Sequence, residues 1–106
     1  MKVEFEITNY KLSFINEMIA DKLLDPYMGA MKEEKAFLYL MQEVSNKLLK
    51  KTLAKRSDKK AFKLSLKYYE ATALHQFLLR FIDYDEKSER RRVTREILGI
   101  INQKLV

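Results

Sequence analysis

Over residues 2–7 apolar and charged positions alternate without a break, Val3, Phe5 and Ile7 against Lys2, Glu4 and Glu6. A period of two is that of a strand with one buried face. Residues 62–67 repeat the pattern with Phe62, Leu64 and Leu66 against Lys63, Ser65 and Lys67. The outward positions are mainly acidic in the first segment and basic in the second, and opposite charges across a strand pair stabilise it by about 0.2–1 kcal/mol per pair. The two segments are therefore expected to pair as an antiparallel ribbon. Two strands alone are marginal in water, so their apolar face must rest on helices.

Each strand passes directly into a helical period. In the first helix Ile15, Met18, Ile19 and Leu23 form the core stripe with Phe14 beside it, Thr8 or Asn9 can cap its start, and Asp25-Pro26 ends it. The second helix, residues 31–54, carries Phe37, Leu40, Met41, Val44 and Leu48 on one stripe and Leu38, Leu49 and Leu53 on another. In the third, residues 68–82, Leu74, Phe77, Leu78, Phe81 and Ile82 make the stripe. The last, residues 89–105, follows a polar link in which Asp85 or Ser88 can cap it, and turns Val93, Ile97, Ile100, Ile101 and Leu105 inward. Gly99 costs that helix about 1 kcal/mol relative to alanine unless a backbone approaches it closely.

The order of elements occurs twice. A shift of 59 residues lays Phe5, Ile7, Tyr10, Ile15, Met18, Ile19 and Leu23 on Leu64, Leu66, Tyr69, Leu74, Phe77, Leu78 and Ile82; a shift of 57 lays Leu40 to Leu49 on Ile97 to Val106. Any two amphipathic helices match once in phase, but the switch from period 2 to period 3.6 at the same place in both halves exceeds that coincidence. The expected fold is α+β and predominantly helical. Two pseudo-symmetric β-α-α units, residues 2–54 and 62–106, form one four-helix domain over 1–106 with a two-stranded antiparallel ribbon. The competing expectation is an all-α bundle.

A chain of 106 residues buries roughly 65% of its extended surface, enough for one modest core. It contains no cysteine, which removes thiol nucleophiles and Cys-based zinc sites and leans toward a cytoplasmic setting. Acidic residues interrupt the N-terminal apolar positions, so no signal peptide is expected. The longest apolar run, Phe37 to Met41, is too short to span a membrane.

Catalytic chemistry finds no support. His75 is the single histidine, so a multi-His metal site within one chain is excluded, and its neighbours Ala71, Leu78, Leu79 and Ile82 mark a structural core edge. Asp83, Asp85 and Glu86 precede a helix, where the dipole alone favours negative charge. Two glycines cannot make a phosphate loop. We expect no enzyme, no cofactor and no metal.

Charge gives the functional lead. Net charge is +6, yet residues 1–50 hold seven lysines against eight acids, while 51–106 hold fourteen Lys or Arg against seven. Lys47, Lys50, Lys51 and Lys55 sit at the carbonyl end of a helix, where cations are favourable, so helix energetics and solubility account for them. Arg90, Arg91, Arg92 and Arg95 crowd the amide end of the last helix, where they are unfavourable; Glu96 can pair with Arg92, but Arg91 and Arg95 repel at i, i+4. Arginines there call for an external anion. The candidate nucleic-acid or anion-binding residues are these four arginines with Lys55, Arg56, Lys59, Lys60 and Lys63. Tyr68, Tyr69 and Tyr84 offer stacking surface, although tyrosines at helix ends, including the matched Tyr10 and Tyr69, are read first as packing residues.

The expected function is non-catalytic binding of an acidic partner, foremost nucleic acid, because localised positive charge releases counterions on meeting phosphate. The alternative is protein–protein assembly, as a homo-oligomer or as a subunit of a larger particle. Leu38, Leu49 and Leu53 would then be its interface.

Overall fold

A strand, β1 (Lys2–Ile7), leads into α1 (Asn9–Leu23); α2 (Lys32–Ala54), β2 (Phe62–Lys67), α3 (Tyr68–Phe81) and α4 (Ser88–Leu105) follow. The computed structural model describes residues 2–23, 32–56, 59–82 and 88–105, with α2 side chains from Lys35 onward. The Asp25-Pro26 stop, Tyr84 and the Asp85 cap lie outside these residues.

The strands pair antiparallel with Val3 opposite Leu66, Phe5 opposite Leu64 and Ile7 opposite Phe62. All six side chains are buried, so period 2 does what it implies and turns one face of the ribbon to the helices. On the outer face Glu6 stands opposite Lys63, whose Nζ reaches Glu4 Oε2 at 3.4 Å. Lys2 and Lys67 form a like-charged pair at one end. Exposed pairs of this kind are worth under about 1 kcal/mol, so apolar burial rather than charge holds the register. The fold is α+β and mainly helical; the ribbon disposes of the all-α alternative.

α1 packs on α2 and α4, and α3 packs on the same two helices, while β1 also touches α3 and α4. One apolar cluster fills the interior, drawing on Ile15, Met18 and Ile19 of α1, Met41, Val44 and Leu48 of α2, Leu74, Phe77 and Leu78 of α3, and Val93, Ile97 and Ile101 of α4. Two buried leucines, Leu12 and Leu98, lie outside the expected stripes, whereas Leu23, Ile100 and Leu105 are only partly covered. Most positions matched by the 59-residue shift share their burial, the exception being Leu23, which is half-buried where Ile82 is buried. Phe5 and Leu64, Ile15 and Leu74, and Met18 and Phe77 are all inside, while Tyr10 and Tyr69 are both outside.

Local hydrogen bonds fix the helix ends and seams. Thr8, not Asn9, caps α1, its Oγ1 accepting from the Lys11 amide at 3.3 Å. Asn16, buried on α1, donates to Thr52 Oγ1 of α2 at 2.6 Å, and Thr52 donates in turn to the Leu48 carbonyl. Gly99 faces open space, with nothing within 4 Å of where a Cβ would stand. No backbone approach explains it. Among the described residues, no helix is long and apolar enough to cross a membrane.

Candidate anion-binding surface

The last two turns of α2 lie beside β2 and enclose a groove of about 360 Å3, lined by Lys47, Lys50, Lys51 and Ala54 from the helix and by Lys63, Leu64 and Ser65 from the strand. Lys63 and Ser65 belong to the outer face of β2 and Leu64 to the inner. Contact with both faces places the groove along the strand edge that β1 leaves open. Four lysine side chains therefore line the groove, whose surface is largely aliphatic. Lys51 and Lys55 also hold their Nζ atoms 5.7 Å from the Phe62 ring centroid, over the strand's first residue. Arg56, Lys59 and Lys60 are exposed between the two elements.

Two of the four lysines have acidic partners. Lys63 meets Glu4 on the ribbon, and Lys47 donates to Glu70 Oε1 at 2.8 Å. The same carboxylate oxygen accepts the backbone amide of Lys67 at 2.8 Å, closing the first turn of α3. Burial pushes the Glu70 carboxyl upward, but the hydrogen bonds from Lys47 and the Lys67 amide, with the charges of both lysines, outweigh it and leave the group below its ordinary value. Lys50 and Lys51 have no acidic partner among the described residues.

The arginine cluster divides. Arg91, Arg92 and Arg95 line a depression of about 410 Å3 with Ser88 at the start of α4. Arg90 does not belong with them and leaves the candidate set. Its side chain is 5% exposed and its Nη1 donates to Glu17 Oε1 at 2.9 Å and Asp21 Oδ2 at 2.6 Å, both on α1. It clamps two helices. Arg92 takes Glu89 rather than Glu96, through Nη2 at 2.6 Å and Nε at 3.2 Å. The hydrogen bond from Arg92 is the main reason the Glu89 carboxyl lies below its ordinary value. Glu96 is engaged by Lys11 of α1 at 2.6 Å. Arg95 remains exposed at the rim, and Arg91 is half-buried.

Of the second α2 stripe, Leu49 and Leu53 are 45% and 67% exposed, and Leu38 is half-buried. His75 is half-buried on α3. Tyr68 and Tyr69, read first as packing residues, are 42% and 50% exposed. They line a further groove of about 320 Å3 between α3 and Phe37 and Leu40 of α2.

The candidate surface thus differs from the expected one. Lys63 is shared, Arg90 is removed, and Lys47, Lys50 and Lys51 enter. Their spacing carried the signal, since positions 47, 50, 51 and 54 fall on one helical face. Fold and site together define a small α+β domain with a cationic groove at the edge of a two-stranded ribbon. In comparisons with known proteins, no family model, no curated protein and no solved structure matches the chain.

Proposed function

We propose that this protein is a non-catalytic binding domain whose basic surface engages nucleic acid. The observation that carries the reading is the convergence of Lys47, Lys50, Lys51 and Lys63 on one groove, continued by the exposed Arg56, Lys59 and Lys60. Phosphates entering it would displace condensed counterions, the entropic source of affinity in such complexes. Cations in both basic regions are paired with acids of the protein, Lys47 and Lys63 in the groove and Arg90 and Arg92 on α4, and it is the continuation by the exposed Arg56, Lys59 and Lys60 that favours the lysine groove. The cysteine-free composition fits a cytoplasmic setting.

The test is the salt dependence of oligonucleotide affinity. Each phosphate neutralised contributes about −0.9 to the slope of log K against log salt on duplex and about −0.7 on a single strand. Lys50→Glu with Lys51→Glu should flatten the slope by roughly 1.4–1.8 and weaken binding more than Arg95→Glu does. Binding indifferent to salt and to these changes would remove the proposal.

A second reading, self-association, is favoured by the exposure of Leu49 and Leu53 on one side of α2. It requires a molar mass above that of the monomer in light scattering, lowered by Leu53→Lys. A monomer at high concentration would end it.

The reading of the chain as two pseudo-symmetric β-α-α units belongs here as well. Phe5 and Leu64 are partners both in the strand register and under the 59-residue shift, so a two-fold axis through that pair would exchange the Val3–Leu66 and Ile7–Phe62 pairs. The closed ring of helix contacts is compatible with the same exchange. In an experimental structure, residues 3–23 should superpose on 62–82 by a rotation near a half turn; any other operation sinks the idea.

A further inference from the structure

We infer that the nucleic acid taken by this surface, on the reading just proposed, is a single strand, with phosphates on the lysine groove and bases stacked on Tyr68 and Tyr69. The lysine groove and the tyrosine groove lie in succession along α2. One is lined by Lys47, Lys50 and Lys51, the other by Phe37 and Leu40, so both open on the side of the helix that meets β2 and α3. At 1.5 Å per residue, Phe37 to Ala54 spans about 26 Å, enough for about eight nucleotides of stacked strand at 3.4 Å each.

Glu70 joins the two halves of this furrow. It holds Lys47, at the near end of the basic groove, and the amide of Lys67, the residue immediately before the tyrosines. Lys67 in turn places its Nζ 5.8 Å from the centroid of the Tyr69 ring. That ammonium group stands over one face of the half-exposed ring, so a base would stack on the opposite face or displace the flexible lysine toward its own phosphate. The two rings are half-exposed at the first turn of α3, and the tyrosine groove is otherwise walled by Phe37, Leu40 and Ala73 with the polar Thr72 and Gln76. A duplex keeps its bases stacked on one another and presents only phosphates and groove edges, so it could use the lysines but not the rings. Only a strand with unpaired bases uses both.

The experiment measures anisotropy of a labelled single-stranded oligonucleotide about eight nucleotides long, the length derived above, and of the same strand annealed to its complement. Tighter binding of the single strand is expected. Tyr69→Ala and Tyr68→Ala should each weaken it about five- to 150-fold, the size of one lost base–aromatic stack, with the salt slope unchanged because no phosphate contact is removed. Tyr69→Phe should keep the affinity, since the ring face and not the hydroxyl is used. Unchanged melting temperatures for the alanine variants exclude misfolding as the cause. Equal affinity for single strand and duplex, with no effect of the tyrosine changes, would overturn this inference and leave the nucleic-acid reading standing. No salt-dependent binding of either form would overturn both, and binding of polyglutamate instead would assign the groove to an acidic protein.

Discussion

Arg90 offers the sharpest test of how the helices are held together. Its side chain is 5% exposed, and hydrogen bonds from its Nη1 cross from α4 to Glu17 and Asp21, which sit one turn apart on α1 and are 45% and 49% exposed. Simple bond counting says that deleting the arginine or both acids removes the same two interactions, hence the same stability. The exposure says otherwise. With Arg90→Met, the half-exposed carboxylates regain water and the apolar side chain keeps much of the buried volume, so the loss should be about 1–2 kcal/mol. With Glu17→Gln and Asp21→Asn together, a guanidinium that cannot shed its proton stays buried without the charges of these two acids, and the loss should reach about 3–5 kcal/mol. In a chain of this size the first corresponds to a fall in melting temperature of roughly 4–16 °C and the second to at least about 12 °C. Urea denaturation should show the midpoints falling in that order with the m-value unchanged. An acid double variant no weaker than Arg90→Met would show that Arg90 is not committed to this pair, and the account of the α1–α4 seam would fail.

Two further predictions concern stability. Gly99 faces solvent in the interior of α4 with space for a Cβ, so Gly99→Ala should raise stability by about 1 kcal/mol, or about 4–8 °C in melting temperature; a neutral or lower value by calorimetry would reveal an unseen need for the glycine. Glu70 has its carboxyl held below the ordinary value of 4.5, so the folded state binds fewer protons than the unfolded in that range. Its contribution is complete above the ordinary value and is lost as pH falls through the folded one. Glu70→Gln should therefore lower the urea midpoint at neutral pH and make the decline below about pH 5 shallower; an acid limb as steep as the parent's would refute the assignment.

The ribbon was legible because alternation survives at the level of single residues: Val3, Phe5 and Ile7 leave no other face to bury. α3 was legible for the same reason, its stripe being long and pure. Leu12 escaped because it stands one turn before the stripe of α1, among polar neighbours, and only the packing against the rest of the core shows that the turn is covered. Arg90 misled in the opposite sense. Three adjacent arginines look equivalent along a chain, yet residue 90 is in phase with Val93, Ile97 and Ile101, so the helix had to turn it inward. Glu17 and Asp21, a turn apart on α1, were the complementary clue. The lysines of α2 were discounted because the carbonyl end of a helix explains cations adequately. Their role in a groove depends on β2 lying alongside, a contact between elements that periodicity does not encode.

The pairing of β1 with β2 has a bearing on how the protein acquires its shape. Lys2 meets Lys67 only after two helices have intervened, so the first strand has no partner until the second is available. During synthesis the leading β-α-α segment would emerge with Val3, Phe5 and Ile7 uncovered, and closing so long a loop slows assembly. A β1 kept waiting can equally accept β2 from another copy, because the hydrogen-bonding pattern is indifferent to which molecule supplies it. Strand exchange between molecules is therefore the misassembly such a topology would favour, above all when chains are crowded and only partly made.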